Sequence, residues 1–211
     1  MSYDDKPSQI LRLGDVVQGF PLTASGFSPT TDGSYPGEFH VAVKQPQFSV
    51  VLSPCCSIGP STVMISPLLK IQRGWFKNPF FANDFTVVNR PMTVDQALTA
   101  EELAKLSSDE RQKRLDAAPG GSYVHVELFV FAPHDLLPEY TISWQGERTV
   151  RHYMVDFRRA HRVECQDISY PQKADSAISR LKRLQLSTSA RKELRDKLAF
   201  FYGRVPAEDR L

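Results

Sequence analysis

Two adjacent thiols are the side chains of this sequence that most readily suggest covalent chemistry. Cys55 and Cys56 lie in a tight Pro-Cys-Cys-Ser-Ile-Gly-Pro connection between two β-branched runs. A nucleophilic cysteine needs its pKa lowered by a nearby histidine, cation or helix N-terminus, and sequence spacing pairs none of the five histidines with Cys56. Free cysteine is among the most buried residue types. We therefore expect packing first, with a catalytic or redox role for Cys56 as the alternative.

The spacing of these cysteines disfavours a metal site. Zinc ligands usually occur in pairs separated by two to four residues, and two adjacent cysteines cannot easily reach one ion. The sequence also contains no Walker loop, Rossmann fingerprint, catalytic-triad signature or zinc-finger spacing. We predict neither a metal nor a cofactor.

Basic residues are concentrated in the last third of the chain. The formal net charge of +2 is too small to imply a nucleic-acid partner, but from residue 141 onward 15 Lys and Arg face 9 Asp and Glu. Such a run is either a solvated face balanced by nearby acidic residues or an anion-binding surface. For the second case, the candidate nucleic-acid-binding residues are Arg151, Arg158, Arg159 and Arg162.

Short strands must position these groups. Alternating or continuous apolar runs predict six or more of them, which favours an antiparallel barrel, and Gly14-Asp15 is expected to turn before the first. The stretch Thr23 to Gly37 is rich in Gly, Ser, Thr and Pro and is expected to be a long exposed loop. The first predicted strand lies within residues 10–22, after that turn. The other predicted strands cover residues 39–43, 49–53, 63–71, 123–132, 140–144, 149–157 and 160–165.

Three capping-box patterns between Asn89 and Ala118 predict short helices that lie over the barrel. Further helices are expected over 176–184 and 189–202, and the second should turn Leu194, Leu198, Phe201 and Tyr202 toward the core. An aromatic cluster around Trp75 and Phe85, interleaved with cations, suits a lid packed on the barrel, although base stacking is the alternative.

These elements predict a single α+β domain over residues 1–211. Its barrel strands occupy about 10–88 and 122–168, a helical insertion occupies about 90–118, and C-terminal helices occupy about 174–204. The acidic, polar start and the odd cysteine count predict a cytoplasmic protein that does not enter a membrane.

Three segments carry a family resemblance. About the first 70 residues resemble the MazF/PemK family of toxin ribonucleases. The resemblance rests on the order of three segments: 14–17 (Gly-Asp-Val-Val), 50–53 (Val-Val-Leu-Ser) and 63–68 (Val-Met-Ile-Ser-Pro-Leu). More narrowly, residues 53–58 resemble a group of bacterial barrel proteins with a Ser-x-x-Cys-Asp-Ile motif, with Ser57 in place of the Asp. The resemblance implies an α+β fold built on an SH3-like antiparallel β-barrel, with the helical insertion and C-terminal helix added.

The resemblance also assigns functional positions. The toxins use a catalytic Ser or Thr, and Ser66 can occupy that position in this chain. They also use an Arg, but Phe48 and Ser49 stand at the corresponding position here, and the nearest upstream cation is Lys44. A missing guanidinium typically costs a few kcal/mol at a phosphoryl transition state, unless Arg158 or Arg159 substitutes for it.

The leading hypothesis is therefore a non-catalytic or weakly catalytic nucleic-acid-associated or regulatory module in a toxin–antitoxin or antiphage context, with single-stranded RNA or a protein as partner. A homodimer is implied by resemblance alone. One alternative is a metal-independent endoribonuclease that uses Ser66. The others are a protein-interaction module and a Cys56-dependent enzyme or redox switch.

Overall fold

A computed structural model describes residues 2–28, 37–53, 62–77, 84–91, 100–110, 123, 125–143, 146–164 and 181–203. The strands are β1 Val16–Gln18, β2 Leu22–Ser28, β3 Glu38–Lys44, β4 Phe48–Val51, β5 Thr62–Lys70, β6 Leu128–Phe131, β7 Tyr140–Ser143, β8 Glu147–Val150, β9 Tyr153–Asp156, β10 His161–Glu164 and β11 Lys182–Leu184. The α-helices are α1 Ala100–Lys105 and α2 Thr188–Gly203, and 3₁₀ helices cover Arg73–Lys77, Phe85–Asn89 and Phe157–Arg159.

Seven strands form one sheet in which β11, β1, β4, β5, β9 and β6 follow in order, and β10 also pairs with β5. Every pairing in it is antiparallel. Hairpins β2–β3 and β7–β8 form two separate two-stranded sheets. The chain is thus mixed α+β, as predicted, but the sheet is not closed into a barrel in the part of the chain that the structure describes.

Strand β5 is the centre of the main sheet. One of its edges pairs with β4, from Ser49 opposite Pro67 to Val51 opposite Ile65. Its other edge pairs first with β10 and then with β9. The 3₁₀ helix Phe157–Arg159 joins these two partners, so the turn lies directly beside the middle of β5.

The N-terminal segment connects the two ends of the sheet. Tyr3 forms a β-bridge with Leu186, just beyond β11, and its hydroxyl donates to the carbonyl of Ala132, just beyond β6, at 2.6 Å. A buried ion pair holds the same segment, because Lys182 lies 2.7 Å from the carboxylate of Asp15 and also donates to the carbonyls of Ser8 and Ile10.

A turn at Gly14 and Asp15 precedes β1, as predicted. Gly14 has a φ of +83°, and a Cβ there would lie 2.5 Å from the side chain of Leu186. A residue with a side chain would therefore suffer both backbone strain and a clash.

Helix α2 confirms the predicted C-terminal helix, but its buried face differs. Leu194 and Leu198 are buried as expected, whereas Tyr202 is 62% exposed. The fully buried Lys197 lies on the core face instead and donates to the carbonyl of Val88. A lysine was not expected there because a hydrophobic periodicity treats every cation as an outward position.

Other strand predictions need correction. The predicted loop over 23–37 contains most of strand β2, whose seven residues all pair with β3. The predicted helix over 176–184 ends instead in strand β11, which pairs with β1. Strand β6 is shorter than predicted and buried at all four residues rather than alternating.

Asn89 protects the outer edge of β6. Its side-chain amide donates to the carbonyl of Val130 and accepts from the same residue's N–H, both at 2.7 Å. A side chain therefore makes the two hydrogen bonds that a neighbouring strand would otherwise make.

Part of the predicted aromatic lid is packed in the core. Trp75 and Phe85 are 5% and 4% exposed, and their ring centroids lie 6.4 Å apart. Phe80, Phe81 and most of the predicted helical insertion lie outside the described residues, with α1 inside them. Among the described helices, none is long and apolar enough to cross a membrane.

The first prediction concerns Lys197. Burial lowers its pKa to about 7, whereas an unfolded lysine titrates near 10.4. The unfolded chain thus binds the additional proton between these values, so stability should rise with pH by up to about 1.4 kcal/mol per pH unit between pH 7.5 and 9.5. Urea unfolding across this range should show a smaller slope for Lys197→Met. An unchanged slope would contradict the buried placement.

The second prediction concerns the ion pair of Asp15 and Lys182. Burial raises the pKa of Asp15 to about 6 and lowers that of Lys182, so desolvation outweighs their attraction. Asp15→Asn leaves a buried cation without its counter-charge and should cost about 3 kcal/mol or more. The double variant with Lys182→Met should lose less than Asp15→Asn alone in urea unfolding. Additive losses would show that the two side chains do not interact.

Candidate nucleic-acid interface

A cleft of about 520 Å³ opens between the base of the β2–β3 hairpin, the middle of β5 and the turn between β9 and β10. Its floor is apolar, with Leu22 from β2 and Leu68 and Leu69 from β5 among the lining residues. Elements distant in sequence build it because β5 pairs with β4 on one side and with β9 and β10 on the other.

Four basic side chains surround this floor: Lys44, Arg158, Arg159 and His161. Lys44 ends β3, the two arginines lie in the 3₁₀ helix, and His161 begins β10. Both arginine side chains are about 60% exposed. We define these four residues as the basic rim.

Asp156 fixes the direction of one of these arginines. Its carboxylate caps the 3₁₀ helix by accepting from the N–H of Arg158, and it also accepts two hydrogen bonds, of 2.9 and 2.8 Å, from the guanidinium. Burial opposes ionisation of Asp156, but the hydrogen bonds from Arg158 outweigh it and lower the pKa of Asp156. The carboxylate is therefore charged at neutral pH and holds the guanidinium in place.

Arg159 is less constrained than Arg158. Its guanidinium lies 3.8 Å from the Asp156 carboxylate, at the outer limit of an ion pair. With Lys44, the two arginines bring three positive charges to the cleft against the one negative charge of Asp156. A net positive rim over an apolar floor can hold a phosphate while a base or another flat apolar group lies against the floor.

Ser66 precedes Pro67 on β5 but is not among the residues that line this cleft. The residue is fully buried, and its hydroxyl donates to the backbone carbonyl of Asp156 at 3.0 Å. Pro67, the next residue, does line the cleft. A buried hydroxyl that already donates to a carbonyl is poorly placed to meet a substrate, so the observed geometry gives Ser66 a structural contact between β5 and β9.

The predicted arginines divide between two places. Arg158 and Arg159 lie at the cleft, whereas Arg151 pairs with Asp135 and Glu139 at 3.0 and 2.6 Å beside β8. Arg162 is exposed on β10 one residue after His161, and successive residues of a strand point to opposite faces. The structure therefore brings together two of the four and does not place Arg151 with them.

The rim contains two basic residues that were not predicted to bind nucleic acid. In the sequence, Lys44 stands out only as the cation nearest upstream of Phe48, and His161 is one of five histidines. Their shared signal is that Lys44 is the last residue of β3 and His161 is the first of β10, but sequence alone does not show that these two ends meet.

Cys56 and its neighbours lie outside the described residues. Two of the histidines pack against aromatic rings. The His125 ring stacks on Trp75 with 5.1 Å between the ring centroids, and the His152 ring makes an edge-to-face contact with Phe85 with 5.1 Å between the centroids. Burial lowers the pKa of both histidines, as expected for packed rings. Within the described ranges, no three His, Cys, Asp or Glu residues group in a way that could hold a metal ion.

No protein-family model, curated protein or solved structure matches this chain.

The third prediction tests the position of Ser66. Ser66→Ala removes a buried hydroxyl and leaves the carbonyl of Asp156 without this donor, which should lower the free energy of unfolding by about 1–3 kcal/mol. Urea denaturation measures the loss. Ser49→Ala is a matched control, because the Ser49 hydroxyl is buried without a hydrogen-bond partner among the described residues and should cost less. Equal losses would contradict the contact between Ser66 and Asp156.

Proposed function

We propose that this chain is a nucleic-acid-associated module that binds single-stranded RNA without cleaving it efficiently. The basic rim over an apolar floor is the observation that carries this proposal. Lys44, Arg158 and Arg159 supply cations for phosphate oxygens, and guanidinium groups bind phosphate with two parallel hydrogen bonds where geometry allows. The floor offers an apolar surface for one base.

The arrangement supports binding more than catalysis. The resemblance to the toxin ribonucleases places Ser66 at a catalytic position, but its hydroxyl is buried and already donates to a backbone carbonyl. The guanidinium of Arg158 donates two hydrogen bonds to the carboxylate of Asp156. These bonds orient the guanidinium, and the carboxylate neutralises part of its charge. Phosphate can still be bound by Arg159 and Lys44.

The fold we propose is an SH3-like barrel of the kind found in the MazF/PemK family. Two observations support this proposal. All strand pairs in the main sheet are antiparallel, and Tyr3 contacts Leu186 and Ala132, which follow the two end strands of that sheet, β11 and β6. We further propose a toxin–antitoxin or antiphage context and, from the cysteine usage, a cytoplasmic location.

The fourth prediction is a binding measurement with a control built into the chain. Fluorescence anisotropy of labelled single-stranded RNA in EDTA, from 50 to 200 mM salt, should show salt-sensitive binding by the wild-type protein. Arg159→Ala should weaken binding about tenfold, the value of one charge-assisted hydrogen bond, and reduce the salt slope by about 0.7. Arg151→Ala removes the same charge outside the cleft and should leave affinity almost unchanged.

Three results would change this proposal. Equal losses of RNA affinity in Arg159→Ala and Arg151→Ala would mean that the RNA responds to the overall positive charge of the protein and does not bind in the cleft. Absence of salt-sensitive binding would reject the nucleic-acid module and favour a protein-interaction module. Cleavage of the RNA in EDTA that is lost in a folded Ser66→Ala variant would replace the binding module with the metal-independent endoribonuclease.

A further inference from the structure

The β2–β3 hairpin extends from the rim of the cleft as a two-stranded sheet. Its register runs from Leu22 opposite Lys44 to Ser28 opposite Glu38. In the part of the chain that the structure describes, no other strand pairs with either of its edges. A two-stranded ribbon is marginal in water and gains stability from further strands or a packed face, so the open edge of β3 is a natural place for another strand.

One face of β3 is apolar and exposed. Phe39, Val41 and Val43 are 72%, 71% and 69% exposed and, because they are two residues apart, they point to the same face. Isolated exposed apolar residues are ordinary, but three in a row on one strand form a stripe that typically contacts a partner.

The sequence of β3 is complementary to itself in the antiparallel direction. If the strand is paired with a copy of itself about a two-fold axis beside Val41, then Val41 faces Val41 and Phe39 faces Val43. The same register places Glu38 at one end opposite Lys44 at the other. A single register thus joins the apolar stripes and pairs opposite charges at both ends of the ladder.

We propose that two copies of this chain associate through their β3 strands in this register, forming a four-stranded antiparallel sheet. The backbone groups of the open edge then hydrogen-bond to the same edge of the second copy. Directly opposite side chains in such a pair have Cβ atoms about 4.5–5.5 Å apart, so the valines and phenylalanines shield one another. The charge pattern selects a second copy over an unrelated strand.

The end charges are available for this pairing. Within the described part of the chain, the side chains of Glu38 and Lys44 have no ion-pair or hydrogen-bond partner, and both residues lie at exposed positions of β3. In the proposed register each copy supplies both charges, so two equivalent ion pairs form across the axis. An interface of this kind is isologous, which is the commonest symmetry of homodimers.

The association should be weak and dependent on concentration. One pair of seven-residue strands is a small interface, and interfaces below about 1,200 Å² belong to transient complexes. Lys44 also belongs to the basic rim, so dimer formation places a carboxylate of the second copy beside one cation of each cleft. The inference can be tested without RNA, because the proposed ladder forms between two copies of the chain alone.

The fifth prediction uses a charge exchange to test both the dimer and its register. Sedimentation velocity of the full chain should show a monomer–dimer equilibrium. Glu38→Lys alone and Lys44→Glu alone each place like charges opposite one another at both ends, and each should raise the dissociation constant about tenfold. An equimolar mixture of the two variants should associate again as a heterodimer, because every end pair is then of opposite sign.

Circular dichroism and thermal unfolding should show that both variants remain folded, since exposed substitutions on a strand change stability little. A chain that stays monomeric at every concentration would overturn the proposal. Dimerisation that is unaffected by either variant would also overturn it, by moving the interface away from β3. If the mixture fails to associate although each variant has lost self-association, the proposed register is wrong. None of these results depends on the RNA measurement.

Discussion

The pairing of β5 on both of its edges is the constraint on which the rest of the structure depends. Because β4 occupies one edge, the chain that returns along the other edge must supply both β9 and β10. The change from β9 to β10 requires a turn, and Asp156 makes that turn by capping the 3₁₀ helix. The two arginines of the basic rim therefore lie beside the middle of β5 because the turn between β9 and β10 is located there.

The same point explains the role of Ser66. Its hydroxyl reaches the carbonyl of Asp156, so the middle of β5 is bonded to the residue that begins the turn. A small polar side chain at a buried strand position resembles a catalytic serine in sequence, since both are a lone hydroxyl among apolar neighbours. Only the direction of the hydroxyl separates the two cases, and the sequence carries no information about that direction.

Local patterns predicted the central strands and helix α2, because continuous apolar runs and helical periodicity report burial directly. They failed where long-range pairing supplies the stability. Strand β2 lacks an apolar pattern and forms by pairing with β3, and β11 contains a lysine that is stabilised by Asp15 more than 160 residues earlier. For the candidate site, sequence reasoning found Arg158 and Arg159 through charge density. Sequence reasoning could not show that Arg151 lies outside the cleft or that His161 lines it, because both assignments depend on which strand ends meet in the fold.

The amide of Asn89 also bears on sheet growth at the outer edge of β6. An unprotected outer strand offers a ladder of donors and acceptors to any extended chain and can start uncontrolled sheet growth. By occupying the donor and acceptor of Val130, one side chain prevents β6 from templating further layers. In the part of the chain that the structure describes, the main sheet therefore ends on this side at a strand whose outward donor and acceptor at Val130 are already satisfied.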